Sequence, residues 1–296
     1  MAVYENRYWW SNDGIRLHAR DYAPRDSVAA AGRPPILCLP GLTRNARDFD
    51  VLAERLSAEW RVVVVDFRGR GDSGYAKDPM SYVPLVYVQD VEKLLGELGC
   101  TRYLAIGTSL GGIVTMLLAG AARETIVGAV LNDVGPEIDP IGLSRIRSYV
   151  GKSSAWPTWM HAARAVAESN ADAYPHYEIG DWLAMAKRLY RLNASGRIVL
   201  DYDMKIAEPF RLPGNEAGPD MWQALNRLSE IPVLIVRGGL SDILPAPVAE
   251  RMAAVLGDAA LVTVPDVGHA PTLDEPEARA AIDRLLAGVA REPVVA

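Results

Sequence analysis

The sequence predicts an α/β protein built on a mostly parallel sheet flanked by helices, with a helical segment inserted before the last strands. Three observations carry this. Between residues 36 and 131, short apolar runs alternate with stretches of helical periodicity, as in a parallel sheet covered on both faces. From Val134 to about Leu228 no comparable β-run appears. The alternation then resumes at Pro232 and continues to Val264.

Each element has its own signal. Residues 4–10 and 15–22 flank Asn12-Asp13-Gly14 and read as a hairpin. Ile36–Leu39 is a short buried strand ending at Pro40-Gly41, followed by a helix over 46–57 with Asn45 as its N-cap. A strand over 61–67, a Gly-rich loop over 68–76 and a helix over 85–98 come next. They are followed by a strand over 103–107, a helix over 110–121 and a strand over 127–131. The interrupting segment has helix-like stretches at 155–169, 181–192 and 219–228, and contains Trp156, Trp159, Trp182 and Trp222. A connection of that length is too long to be structureless, so it reads as a helical cap over 134–228, with 1–133 and 229–296 forming the core. The remaining elements are a strand over 232–237, a helix over 247–256, a strand over 260–264 and a helix over 276–287.

Composition narrows the function. In 296 residues, 31 Lys+Arg against 37 Asp+Glu give a net charge of −6, without the basic surface that a nucleic-acid backbone demands. The two cysteines, Cys38 and Cys100, lie beside apolar runs and read as packed thiols; neither a metal site nor a disulfide framework is expected. The opening MAVYENRYWWSNDG has neither the basic nor the apolar region of an export signal, and a cytoplasmic location is expected. The uncharged run 103–122 has the length of a membrane span. Its central glycines and its change from strand-like to helix-like periodicity make it a buried strand-turn-helix unit instead, so no membrane association is expected.

The chemistry centres on Gly107-Thr108-Ser109-Leu110-Gly111, a G-x-S-x-G motif between a strand and a helix. A tight turn there lifts the serine from the strand end, and the flanking glycines let neighbouring backbone approach it. Ser109 also meets the positive end of the following helix. A serine hydroxyl needs a base. Of His18, His161, His176 and His269, only His269 follows the last strand at the sheet edge, in Pro265-Asp-Val-Gly-His269. Two acids can orient it: Asp242, after the strand 232–237, and Asp133, after the strand 127–131. Asp242 is favoured because it keeps the order Ser, Asp, His with the acid on the strand immediately before the histidine. Asp266 reads as a turn residue. The oxyanion donors are expected from the backbone N–H groups of Leu42 and Leu110.

Gly69-Arg-Gly71-Asp-Ser-Gly74 matches G-x-G-x-x-G literally. Pro79 and Pro84 prevent the helix that a dinucleotide fingerprint opens, so no nucleotide cofactor is expected.

Together PILCLPGL, Asp66-Phe-Arg-Gly-Arg-Gly-Asp-Ser-Gly74, GTSLGG, Ser241-Asp242 and Asp266-Val-Gly-His269 resemble the α/β-hydrolase fold superfamily over nearly the whole chain. The resemblance implies an eight-stranded sheet with the active site between core and cap, and the variable cap after Asn132-Asp-Val-Gly-Pro136. Ser109 stands where haloalkane dehalogenases and epoxide hydrolases carry aspartate, and Pro40-Gly41 where many members carry His-Gly. The expected activity is cofactor-independent hydrolysis of a carboxylic ester of a hydrophobic or aromatic small molecule, through an acyl-enzyme on Ser109. The alternatives are C–C bond hydrolysis of meta-cleavage-type dienoates, or a ligand receptor with slow or no turnover. Arg44, Trp156, Trp159, Met160 and Trp182 are the candidate pocket residues, Arg44 as partner for a substrate carboxylate.

Overall fold

The structure is a computed structural model and describes residues 3–211 and 219–290. β1 (Glu5–Trp10) and β2 (Arg16–Tyr22) form the antiparallel hairpin. They are followed by β3 (Ile36–Leu39), a 3-10 turn at Ala46–Phe49 running into α1 (Asp50–Leu56), β4 (Val62–Asp66) and α2 (Pro84–Glu97). Then come β5 (Tyr103–Thr108), α3 (Leu110–Ala122) and β6 (Ile126–Asn132). The segment up to the next sheet strand holds α4 (Pro140–Tyr149), β7 (Ala155–Trp156), α5 (Trp159–Asn170), α6 (Ile179–Leu189), β8 (Tyr190–Leu192), β9 (Ile198–Leu200) and α7 (Met221–Asn226). β10 (Val233–Gly238), α8 (Ala246–Leu256), β11 (Ala260–Val264) and α9 (Pro276–Val289) complete the described chain.

The main sheet has eight strands in the order β1-β2-β4-β3-β5-β6-β10-β11. The hairpin joins it antiparallel through β2 and β4; every pairing from β4 to β11 is parallel. The strand sequences explain the burial. Val63 and Val65 of β4 enter one apolar cluster while Val62 and Val64 enter another, and Ala105 and Leu104 of β5 divide the same way. Successive side chains point to opposite faces, so a strand with helices on both sides must be apolar throughout. Each such buried valine or leucine contributes about 1.5–3 kcal/mol. The uncharged run 103–122 is β5 and α3, and among the described residues no helix is long and apolar enough to cross a membrane.

Between β6 and β10 the chain departs from expectation in two ways. β7, β9 and β8 form a small antiparallel sheet where no β-run was legible, because strands of two or three residues carry no periodic signal. α4 begins at the cap Asp139 with Pro140 in its first turn, but Gly142 is its one buried residue, so it lacks the apolar stripe that announces a helix. The segment has its own apolar cluster, with Ala162 and Val166 of α5 against Trp182, Met185 and Ala186 of α6. Residues 212–218 of this stretch lie outside the described residues.

The Gly-rich loop after β4 serves packing. No helix opens at Gly74; the next helix is α2, preceded by a 3-10 turn at Pro79–Ser81. Gly71, at φ 52°, leaves a Cβ no room, since one would lie 2.5 Å from the Asp66 carboxylate. That carboxylate accepts from His18 Nδ1 at 2.7 Å and from the N–H groups of Ala46 and Asp72. The loop backbone also meets the inserted segment, where Gly71 N–H donates to Asp201 and Asp203 N–H to Gly69.

Candidate active site

Ser109 sits at the break between β5 and α3 with φ 53° and ψ −118°, a region an L-residue rarely occupies. Its glycines explain how the turn closes. A Cβ on Gly107 would lie 2.3 Å from the Gly111 carbonyl oxygen, and one on Gly111 would lie 1.9 Å from the Leu39 carbonyl oxygen. The first turn of α3 therefore seats directly on β5 and β3, which only glycine permits. Ser109 N–H donates to the Asn132 carbonyl at 2.9 Å, tying the turn to the end of β6.

His269 comes from the loop after β11. Its Nε2 lies 2.9 Å from Ser109 Oγ and its Nδ1 lies 2.8 Å from Asp133 Oδ2. The loop is held from both sides: Asn132 Nδ2 donates to the Pro271 carbonyl, Gly268 N–H to Ala173, and Tyr174 OH to the Ala270 carbonyl. His18 lies on β2 against Asp66, while His161 and His176 lie on the inserted segment. Asp266 adopts φ 53° at the turn, as a turn residue would.

The histidine's carboxylate partner is Asp133, and the expectation for Asp242 is corrected. Asp133 is fully buried and accepts the N–H of Gly238 at 2.8 Å, the hydroxyl of Ser241 at 2.7 Å and His269. These bonds draw the loop after β10 tightly over Asp133. Asp242, one residue beyond Ser241, then turns toward α4, where both its oxygens accept from Arg145 at 2.5 and 2.8 Å. The hydrogen bonds from Arg145 hold the Asp242 carboxyl below the ordinary carboxylate range against the opposing effect of burial. Gly142 makes this approach possible, because a Cβ there would lie 2.0 Å from the Asp242 carbonyl oxygen.

Ser109 and His269 open onto a cavity of about 120 Å³. Leu42 shares its wall; its carbonyl accepts from Arg70 Nε at 2.8 Å, which fixes the turn from Gly41 to Arg44. Leu110 N–H is the first of α3, where a helix leaves N–H groups without an internal acceptor. Arg44 lines the cavity and is bound through two donors to Asp48 at 2.5 and 2.7 Å. The tryptophan expectations need correction. Trp182 is buried against Tyr174 and Tyr177, Trp159 packs on the same cluster, and Met160 is exposed; none of the three lines the cavity. Trp156 lines only an adjoining chamber. The inserted segment contributes Arg145, Ile146, Tyr149, Tyr174, Tyr177, Met185 and Arg188 instead. The tyrosines were missed because they stand between helices or at helix ends, away from any periodic stripe.

This fold and this serine at its elbow define a class, and the chain belongs to the alpha/beta hydrolase family, whose model matches residues 36–282. It is an enzyme of the hydrolase type. It is 34% identical over 248 residues to the 3-hydroxybutyrate-oligomer hydrolase of Cupriavidus necator, covering 81% of this chain and 84% of that protein. An esterase of Mycobacterium tuberculosis is 26% identical over 252 residues, with 83% of this chain and 80% of that protein covered. The crystal structure of an alpha/beta hydrolase from Novosphingobium aromaticivorans superposes with a TM-score of 0.91 at 58% identity, over 97% of this chain and 99% of that one.

Proposed function

We propose that the protein is a serine esterase that cleaves a carboxylic ester of a small molecule through an acyl-enzyme on Ser109. The observation that carries this reading is the unbroken run of contacts from Ser109 Oγ to His269 Nε2 at 2.9 Å, and from His269 Nδ1 to Asp133 at 2.8 Å. His269 takes the serine proton as the hydroxyl attacks the carbonyl, and returns it to the leaving alcohol. Asp133 holds the ring in the tautomer that accepts at Nε2 and stabilises the imidazolium that forms. The N–H groups of Leu42 and Leu110 serve the oxyanion. Water then enters, His269 again acts as base, and the acid is released. The segment over 134–228 acts as the cap that chooses the substrate. The hydrolase of 3-hydroxybutyrate oligomers and the esterase among the relatives support ester chemistry, and 3-hydroxybutyrate oligomers are the first compounds to assay.

The test combines labelling with turnover. A fluorophosphonate is expected to modify Ser109, and p-nitrophenyl esters to be turned over many times per active site. Asp133→Asn is expected to lower kcat by about 10⁴. Absence of label on Ser109, or full activity in Asp133→Asn, overturns the assignment. Labelling without repeated turnover on any ester favours a receptor, unless a meta-cleavage-type dienoate is consumed, which favours C–C bond hydrolysis.

A further inference from the structure

The cavity beside Ser109 carries more positive charge than the serine and histidine chemistry uses. Arg44, Arg145 and Arg188 line it, against the single carboxylate of Asp48. Burial pushes up the phenols of Tyr149, Tyr174 and Tyr177, so these wall residues remain neutral at neutral pH. Two of the arginines are matched: Arg44 by Asp48, and Arg145 by Asp242, whose carboxylate stands outside the lining. Arg188 is surplus. Its Nε lies 3.6 Å from the same Asp48 that already accepts both bonds from Arg44. Among the described residues its guanidinium makes no hydrogen bond, although it offers five donors.

Where two guanidiniums share one carboxylate elsewhere in the molecule, at Asp21 and at Asp201, each comes within 3.0 Å of it. Arg188 stands off from Asp48 at 3.6 Å, yet its backbone is fixed, since its carbonyl in the last turn of α6 accepts from Asn45 and Arg47. We propose that the substrate is a small ester carrying a free carboxylate, which Arg188 and Arg44 bind in the chamber that holds the scissile carbonyl. This rests on the esterase reading above. The two chambers narrow the class. The inner one, of about 120 Å³, adjoins one of about 410 Å³ across Thr43, Arg44, Arg145, Tyr149, Asn170 and Met185. Ser109 and Arg188 belong to the inner chamber alone, so carboxylate and scissile carbonyl share that chamber, with any longer remainder in the outer one. Guanidinium donors match both oxygens of a carboxylate, whereas a neutral ester leaves them unmet.

The experiment compares matched substrates that differ in the carboxylate. The mono-p-nitrophenyl ester of glutaric acid is set against p-nitrophenyl pentanoate, and 3-acetoxybutanoate against 3-acetoxybutanamide. At least one pair is expected to favour the acid in kcat/KM by about ten- to a hundred-fold, mostly through KM and less at high ionic strength. Arg188→Gln is expected to bring that ratio toward one, and Arg188→Lys to retain part of it; fluorophosphonate labelling of Ser109 in each variant verifies folding. Equal or better use of both neutral partners by the unsubstituted enzyme overturns the proposal and leaves the esterase reading standing. If no ester is turned over, the esterase reading fails, and glutarate binding to Ser109→Ala by calorimetry decides the carboxylate site: saturable binding weakened by Arg188→Gln supports it, and no binding overturns it.

Discussion

Asp133 and Asp242 both follow strands at the same sheet edge, and what separates them is their hydrogen-bond environment. Asp133 accepts from Gly238, Ser241 and His269 while wholly buried. Asp242 is paired with a half-exposed arginine. Removing the charge at Asp133 strips the imidazolium of its partner; removing it at Asp242 releases Arg145 into water at small cost. Asp242→Asn is therefore expected to cost far less activity than Asp133→Asn on a neutral ester, which steady-state kinetics on the two variants will check. Asp242 also gives an acid-stability signature. Its folded pKa lies below the ordinary 3.8, so the stability it contributes is present above that value and is lost as pH falls through the lowered folded pKa. Below about pH 4, urea midpoints of the native protein should fall more steeply with pH than those of Asp242→Asn. The sequence favoured Asp242, on the strand immediately before the histidine, over Asp133, although both spacings satisfy chain order; only the course of the loop after β10 decides between them.

The elbow is the element on which the site depends, and its requirement is steric. Gly111 packs its α-carbon against the Leu39 carbonyl, and any side chain there meets rigid backbone of β3. Gly111→Ala is expected to destabilise the protein by at least about 1–3 kcal/mol, the ordinary cost of overpacking. Chemical denaturation will measure this, and the loss should exceed that of Gly120→Ala, a position on the same helix α3 with open space around it. This element was fully legible, because the motif, the strand before it and the helix after it are all local in sequence. α4 was not legible. It carries Arg145 into the cavity wall, yet its sequence shows no stripe, and it is placed by contact of Gly142 with the Asp242 loop.

The molecule as a whole has apolar clusters on the two faces of the main sheet and a third within the inserted segment. Trp182 is central to the third, edge-on to Tyr174 and Tyr177. Trp182→Ala removes a large buried side chain at a cost of about 3–5 kcal/mol. Because that loss falls on the inserted segment, amide exchange should accelerate over α5 and α6 while β3 through β6 stay protected. Uniform acceleration across the chain would mean that the segment and the sheet unfold as one unit.

The sequence by itself determined the sheet, its helices, the serine elbow and the histidine, because each rests on periodicity or on a motif a few residues long. Only the tertiary structure decided which acid faces His269, which side chains of the inserted segment reach the cavity, and that three arginines meet beside Ser109. The physical reason is distance along the chain. His269 and Asp133 are 136 residues apart, and Arg47 reaches Arg188 across 141. Contacts of that kind are set by how strands order themselves and how loops are drawn over buried polar groups, and neither leaves a local pattern in the sequence.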